Sequence, residues 1–511
     1  MLRVLLFFVG FGAVHSVNIL GYFLTPSYSH QITFQPIWRE LSLRGHKVTV
    51  VTPHPLKDES LVNLTEIDIG EVSQEIWKDG GMSTQGTREQ EAGFGQIQKV
   101  FDLALKIMDA QMSQPAFAEI ISNKKNETFD LVLVEYLSVN GFPLKHVYNC
   151  PLVGISSMPL MNIGHDAIGN PSHPVLSPDL TLPFSEDLTF VERLLSVIYS
   201  VISRLFVIRF VEPLNKLMRK FYGEDVKSSL ELIYDMDLVL ANINPILNPA
   251  RPNIPTLIEF HGIHIKPEQK LPKDLDTLLN NSNESSIIYM SFGSNIKSSL
   301  FPEDKIKIIL ETIAELPHLV LWKYEAENLP NKPNNLVIRK WFPQQDILRH
   351  HKVKLFITQG GMQSLDEAMY TKTPVVVIPF FGDQFSNARK VEKIGFGKSL
   401  NFLSLNKADF KNTILDVLMP NYESKTKELH DLLVDQPFGS LEKVIWWIEY
   451  VIRHKQVTHL KSPALKVPWY IILYLDIIGF FAVCLMAIVI LMIFAKRLIV
   501  SLCCRRKMKE D

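Results

Sequence analysis

Cysteine is scarce: the 511 residues contain four. Cys484, Cys503 and Cys504 fall in or just after an apolar C-terminal run, so Cys150 stands alone in the rest of the chain and no intrachain disulfide can close there. Stability must come from a packed core. Net charge is nearly absent too, at -1 with no strong basic patch, which argues against nucleic acid as a partner. Metal-ligand clusters are also missing. Asp235-x-Asp237 and Asp274-x-Asp276 have the spacing of a divalent-cation site, but the first runs into an apolar strand and the second lies in a polar stretch near Pro272. Neither has supporting ligands, and no metal is implied.

What is present is length and apolar content. With 511 residues and 47% hydrophobic side chains, the chain accommodates two domains of about 200 residues each. Met1-Leu-Arg3, an apolar run from Val4 to Val14 and small Ser16 read as a secretory leader over 1–16, too short to span a bilayer. A second apolar stretch, 469–495, reaches the length of a membrane span, with Trp469 and Tyr470 at one interface. Lys496, Arg497, Arg505, Arg506, Lys507 and Lys509 follow it, so 496–511 is expected to be a short basic cytoplasmic tail and the bulk of the chain luminal. Asp476 is most simply placed near the luminal interface; a functional intramembrane charge is the alternative. Sequons at Asn63, Asn126, Asn280 and Asn283 are compatible with a lumen. Cys503 and Cys504 are either palmitoylation sites or plain thiols.

Strand and helix periods place the motifs. An apolar strand from Val17 to Phe23, helical spacing from Gln31 to Leu43 and a strand from Lys47 to Thr52 form a βαβ unit, hence a parallel sheet. Phe129–Glu135, Pro151–Ile155 and Asp237–Asn242 continue it, and a Pro-rich linker over 246–255 separates the expected first domain, 17–245, from a second, 256–435. Residues 190–221, strongly apolar with scattered charges, read as a packed helix pair; lining a pocket or dipping into a membrane surface are the alternatives. Segment 436–466, with Trp446 and Trp447, is expected to pack back across both domains.

The most informative stretch runs from Trp341 to Asn387. A strand ending at Thr358, Gln359-Gly360-Gly361 and a helical segment Met362–Tyr370 make a strand, a glycine turn and a helix N-terminus, a site for phosphate. Ile287–Ser291 feeds a similar turn at Gly293-Ser294, and the strand Pro374–Pro379 delivers Asp383 and Gln384 to the ligand edge of an open α/β sheet. Trp341 can stack on a planar base, and Gln344 can read its edge.

As a set, Trp341-x-Pro343-Gln344, Gln359-Gly360-Gly361 with Gln363 and Ser364, Glu367 and Asp383-Gln384 resembles the signature of the UDP-glycosyltransferase family, in a form similar to insect or other invertebrate members. The resemblance implies the GT-B fold: two facing Rossmann-like α/β domains plus one C-terminal transmembrane helix. It implies that Trp341 and Gln344 hold uracil, Glu367 holds ribose, and the turn with Ser294, Gln359, Gln363 and Ser364 holds the diphosphate. Asp383 and Gln384 would hold the sugar hydroxyls. Many members carry His at position 359 and Asn at position 363. Ser29-His30 and Arg44-Gly45-His46 also match the family's amino-terminal segment, where His30 is the general base. An imidazole with an ordinary pKa near 6.5 suits that task. The family's partner carboxylate is usually Asp; here Glu135 stands at the end of its strand, with a solvated strand-end residue as the alternative.

The expected activity is therefore inverting, metal-independent transfer of a hexose, glucose first, from a UDP-sugar co-substrate to the hydroxyl of a small lipophilic acceptor, as in conjugation and detoxification. No cofactor is needed. Residence in the endoplasmic reticulum membrane follows from the resemblance, with Lys507 and Lys509 serving either as a dilysine retrieval signal or only as positive-inside charges. Homo-oligomers are compatible with it. The rival reading is a non-catalytic, membrane-anchored binding or scaffold protein, supported by Gln359 and Glu135.

Overall fold

A computed structural model describes residues 16–81, 84, 86–87, 94–122, 128–185, 187–282 and 286–510. The expected leader apart from Ser16, and the sequons at Asn126 and Asn283, lie outside them. Two units divide the chain, 1–460 and 461–511.

Within the first unit, seven strands form one parallel sheet: β1 (Asn18–Tyr22), β2 (Lys47–Thr52), β3 (Leu64–Asp68), β4 (Leu131–Glu135), β5 (Leu152–Ser156), β6 (Leu238–Asn242) and β7 (Leu257–Phe260). Six more form a second: β8 (Ile287–Ser291), β9 (Leu319–Lys323), β10 (Leu336–Arg339), β11 (Val353–Thr358), β12 (Val375–Val377) and β13 (Gly397–Ser399). The orders are β3-β2-β1-β4-β5-β6-β7 and β10-β9-β8-β11-β12-β13. Strands β4, β5, β6, β8 and β9 are buried along their whole length, as parallel strands covered on both faces must be, and this is why they read as unbroken apolar runs. β7 lies past the expected linker yet pairs with β6, Val239 opposite Leu257, so the first sheet reaches beyond residue 256.

In each sheet the order reverses at one point, between β1 and β4 in the first and between β8 and β11 in the second. Loops leaving neighbouring strands there diverge to opposite faces and open a crevice at the carboxyl edge. His30 follows β1 and Glu135 ends β4; Ser294 follows β8 and Gln359 follows β11.

The apolar segment after residue 189 is one helix, Phe190–Tyr222, and not a pair. A capping box starts it: the Thr189 hydroxyl accepts from the Glu192 amide, and the Glu192 carboxylate accepts from the Thr189 amide. Leu194, Leu195, Ile198, Val201, Leu205 and Ile208 are exposed along it. The helix Ser440–His454 packs on the first sheet. Val444, Ile445, Ile448 and Val451 form its apolar stripe and join the cluster containing Trp38 and Ile258. His46, at the opposite edge from the site, is buried with its Nε2 3.7 Å from Glu449 on this helix.

In the second unit, the turn Trp469–Ile472 precedes a helix, Leu475–Glu510, separated from it by Tyr474 in a left-handed conformation, φ 55°. The helical span thus starts after residue 469, and its part Leu475–Leu502 is long and apolar enough to cross a membrane. Asp476 lies in the first turn, where a carboxylate meets the positive end of the helix dipole.

Two buried histidines link stability to pH. Asn170 Nδ2 lies 2.8 Å from His165 Nδ1. Burial, aided by Arg251, pushes the His165 imidazole down to about 3. His261, between the Tyr370 hydroxyl and the Gln436 amide, is pushed down to about 4 by burial, with Lys443 adding to the effect. Both folded-state values lie below the unfolded value, so the stability they represent is present above pH ~6.5 and is lost as pH falls toward the folded values. The expected loss is on the order of 2 kcal/mol each by pH ~4.5. Buried Asp366 and Asp383, pushed upward by burial, act with the opposite sign. Thermal melting of the full chain in detergent should show a midpoint that falls between pH ~6.5 and ~4.5, with a shallower fall in His165→Gln.

Candidate active site

The helix Tyr28–Leu43 begins at Ser27, and His30 lies in its first turn, donating its backbone N–H to Ser27 O at 3.1 Å. Pairing of β1 with β4, Tyr22 opposite Val134, brings Glu135 to the same edge. The two side chains are not hydrogen-bonded to each other. His30 Nδ1 is 2.8 Å from Ser157 Oγ, and Glu135 Oε1 stands 3.4 Å away as a charge neighbour. The extra methylene of Glu explains the difference. It lets the carboxylate, 1% exposed, turn Oε2 back to accept from the Leu24 and Thr25 amides at 3.1 and 2.8 Å, which locks it in place. Nothing in one-dimensional spacing marked Ser157.

Across the crevice, Gly360 has φ +84°, and Gly361 caps the helix Met362–Tyr370. Gln359 is held by Thr358 Oγ1, which donates to its Oε1 at 3.1 Å, and its amide lies directly over Gly293, leaving no room for a β-carbon there. It therefore spans the turns after β8 and β11 as a neutral donor. Ser294 Oγ is buried without a hydrogen-bond partner, an orphaned group at the place where an anion is expected. Ser364 Oγ accepts from Gln344 Nε2 at 3.3 Å.

Glu367, 5% exposed, is gripped on both oxygens. Gln344 Nε2 donates to Oε2 at 2.5 Å and Gln345 Nε2 donates to Oε1 at 2.9 Å, while Tyr289 OH donates to Gln344 Oε1 at 3.1 Å. Gln345 joins the network although only its neighbour Gln344 belongs to the motif. A carboxylate accepts about four hydrogen bonds, so lone pairs remain for a ligand hydroxyl. Trp341 is 55% exposed, with the Tyr28 ring edge-on at 5.4 Å and Lys323 Nζ 5.8 Å from its centroid. Its broad face is thus available for stacking, flanked by a cation. Tyr28 comes from the first domain; burial, then the nearby Glu367 charge, raises its pKa.

Asp383 accepts from Asn387 Nδ2 at 2.8 Å, and that amide also donates to Gly360 O at 3.0 Å. Asn387 thus ties the carboxylate to the glycine turn. Burial holds the Asp383 pKa up, while Asn387, Lys390 and His30 oppose it, so Asp383 feels the base from the other domain. Gln384 Oε1 accepts from the Phe380 and Phe381 amides at 2.8 and 3.2 Å, which fixes the side chain. Gln363 departs from expectation. Its amide turns away from the phosphate turn and donates to Ser157 O, in the first domain, at 2.8 Å. Asn295 to Ser27 and Ser386 to the Phe184 carbonyl bridge the domains as well, at 3.1 and 3.2 Å.

The first domain also holds an apolar cavity of about 170 Å³. Tyr136 and Met158, next in sequence to Glu135 and Ser157, line it with Leu160, and Val207 and Phe210 of the long helix close it. Phe210 stacks on Phe101 at 4.3 Å. The cavity side of this helix answers one expectation, since it lines a pocket.

Among known proteins, the family model "UDP-glucoronosyl and UDP-glucosyl transferase" matches residues 22–510. UDP-glycosyltransferase UGT5 of Dactylopius coccus is 30% identical, the alignment covering 96% of this chain and 93% of that protein. UDP-glucuronosyltransferase 1A7 of Mus musculus is 29% identical over 93% and 89%. Of solved structures, the glycosyltransferase VinC in complex with dTDP superposes with a TM-score of 0.56 at 15% identity, covering 86% of this chain and 100% of that one, a likeness of GT-B fold alone. The spinosyn forosaminyltransferase SpnP gives 0.56 at 15% identity, over 86% and 99%. A family match over nearly the whole length, on a chain whose two parallel sheets face each other across a crevice edged by His30 and Gly360, leads to one conclusion: this chain belongs to the UDP-glycosyltransferase family and is an enzyme that transfers sugar from a UDP-sugar to an acceptor.

Proposed function

We propose that the chain transfers a hexose, with glucose the preferred donor, to a hydroxyl of a small lipophilic acceptor, by a single inverting displacement that needs no metal. The observation that carries this reading is the place of His30. It stands at the reversal point of the first sheet, within electrostatic reach of Asp383, and the residues next in sequence to its neighbours Glu135 and Ser157 line an apolar cavity.

The acceptor's apolar body occupies the cavity lined by Tyr136, Met158 and Phe210, burial contributing ~25 cal/mol per Å². His30 takes the hydroxyl proton as the oxygen attacks the anomeric carbon from the face opposite the leaving group. The nearby Glu135 carboxylate stabilises the imidazolium that forms. Trp341 stacks on uracil, Gln344 meets its edge, and Glu367 accepts from ribose. UDP leaves into donors supplied by Gln359, Ser294, Ser364 and the backbone at Gly360 and Gly361. One such preorganised donor is worth ~3 kcal/mol of transition-state stabilisation. Asp383 and the free amide of Gln384 orient the sugar hydroxyls. Gln363 takes no part in diphosphate binding in this scheme, because its amide is engaged by Ser157. The enzyme works from the luminal side of the endoplasmic reticulum membrane, held by the helix Leu475–Glu510 in a type I orientation.

UDP release by membranes containing the protein tests this, with UDP-glucose, UDP-glucuronic acid and a panel of phenols, with and without EDTA. Acceptor-dependent release with UDP-glucose, unchanged by EDTA and giving the inverted anomer by NMR, is expected. Release with UDP-glucuronic acid alone would reassign the donor, loss in EDTA would overturn the metal-free mechanism, and UDP binding without release from any donor would leave a binding module.

A further inference from the structure

We propose that Ser157 is the residue that positions the His30 ring, and that Gln363 couples this positioning to the donor domain. The inference rests on His30 being the base.

Ser157 follows β5 directly, and β5 lies beside β4, so Ser157 arrives at the edge where β4 ends in Glu135. It is 2% exposed. Its hydroxyl is 2.8 Å from His30 Nδ1, and its carbonyl accepts two side-chain amides, Asn242 at 3.1 Å and Gln363 at 2.8 Å. Asn242 ends β6, the strand beside β5. Gln363 comes from the helix Met362–Tyr370, which also carries Ser364 and Glu367. Its amide lies 3.4 Å from the hydroxyl of Thr33 as well, three residues beyond His30 on the helix of the base. One glutamine therefore touches both elements that fix the imidazole.

The ring can act as a base at Nε2 only if its proton resides on Nδ1, which requires Ser157 Oγ to accept there. With the hydroxyl turned to donate, the proton moves to Nε2 and the base is lost. The charged groups that face the ring are Glu135 from β4 and Asp383 from the donor domain. Glu135, 3.4 Å from Nδ1, favours the productive tautomer electrostatically but does not set the ring's angle, since Oε1 makes no hydrogen bond. The orienting contact is the hydroxyl, and the Ser157 peptide that carries it is pinned by Gln363. Glutamine spans this gap with one methylene more than asparagine. The donor helix thus grips the sugar nucleotide and steadies the base through adjacent residues.

The test is steady-state kinetics on the full chain in membranes, with UDP binding and melting measured on each variant. Ser157→Ala should lower kcat ~10- to 100-fold at unchanged KM for the UDP-sugar. The acid limb of its kcat/KM profile should move to lower pH, because an acceptor that favours the imidazolium is gone. Ser157→Thr, which keeps the hydroxyl, should recover most of the rate. Gln363→Leu should lower kcat without weakening UDP, and Gln363→Asn should do so less severely. The pair Ser157→Ala with Gln363→Leu should be no slower than Ser157→Ala alone, since both act on one contact. Multiplying losses, or an unmoved acid limb, would overturn the coupling. A Gln363→Leu defect confined to UDP-sugar KM would make Gln363 a donor ligand instead. If His30→Ala is inactive while both Ser157→Ala and Gln363→Leu match wild type, this inference fails alone; if His30→Ala is active, the base assignment fails with it.

Discussion

Replacing His30 with alanine is expected to lower kcat by at least ~10²-fold while leaving UDP affinity within about twofold. The reason is positional. His30 is supplied by the first sheet, and the groups assigned to UDP all come from the second, so removing the imidazole leaves the nucleotide's contacts untouched. On the proposed mechanism, what is lost is the proton acceptor for the attacking hydroxyl, in a site where Glu135 and Ser157 are already arranged around the ring. His30→Gln should be nearly as slow, since an amide retains hydrogen bonding but takes no proton at neutral pH. Single-turnover measurement of sugar transfer, beside calorimetric titration of UDP, separates the two effects. A variant that keeps its rate would remove His30 from the chemistry; one that loses UDP binding in parallel would show that it acts through the nucleotide.

Gly360→Ala is expected to damage the donor site strongly. With φ at +84°, Gly360 adopts a backbone conformation that costs an L-residue roughly 1–2 kcal/mol. Its added Cβ would stand 2.5 Å from Cγ1 of Val377, a fully buried, β-branched side chain at the end of β12, for a further ~1–3 kcal/mol. Relief by backbone movement would displace the N–H groups aimed at the diphosphate. UDP-sugar affinity should therefore fall ~10-fold or more, each 1.4 kcal/mol being a factor of ten, together with a lower melting temperature. Adding Val377→Ala removes the overlap but not the dihedral strain, so recovery should be partial. Gly361 is the internal control. Its φ of -66° suits any residue, and its Cβ would meet only the flexible amide of Gln359 at 3.2 Å, so Gly361→Ala should fold normally. Equal melting losses for the two alanines would contradict this account.

Much of the site was legible because its chemistry is local. A strand, two glycines and a helix start within a dozen residues of β11 whatever the rest of the chain does, and the helix Met362–Tyr370 has the limits that its sequence implies. Continuous burial of β4 and β8 was readable for the same reason. Gln345 and Asn387 sit inside that stretch but are not legible there, because polar side chains beside a motif carry no periodic signal; only the closed network around Glu367 and Asp383 reveals them. The long helix Phe190–Tyr222 reads as a pair in sequence because its apolar content is spread around the helix, with no single stripe to mark one continuous element.

By itself the sequence determined the inventory: two runs of parallel strands, a glycine turn at a helix start, a histidine after β1, a carboxylate at the end of β4 and an apolar C-terminal helix. These follow from backbone stereochemistry and side-chain period over short distances. Tertiary structure decided which of those residues meet. Pairing of β1 with β4 and β4 with β5 put Ser157, rather than Glu135, in hydrogen-bonding contact with His30. The approach of the two sheets turned Gln363 from an expected phosphate ligand into a bridge to Ser157. Both outcomes depend on distances of a few tenths of an ångström between segments more than a hundred residues apart. One methylene, in Glu135 and again in Gln363, is enough to redirect such a contact, and no pattern along the chain records where a longer side chain will come to rest.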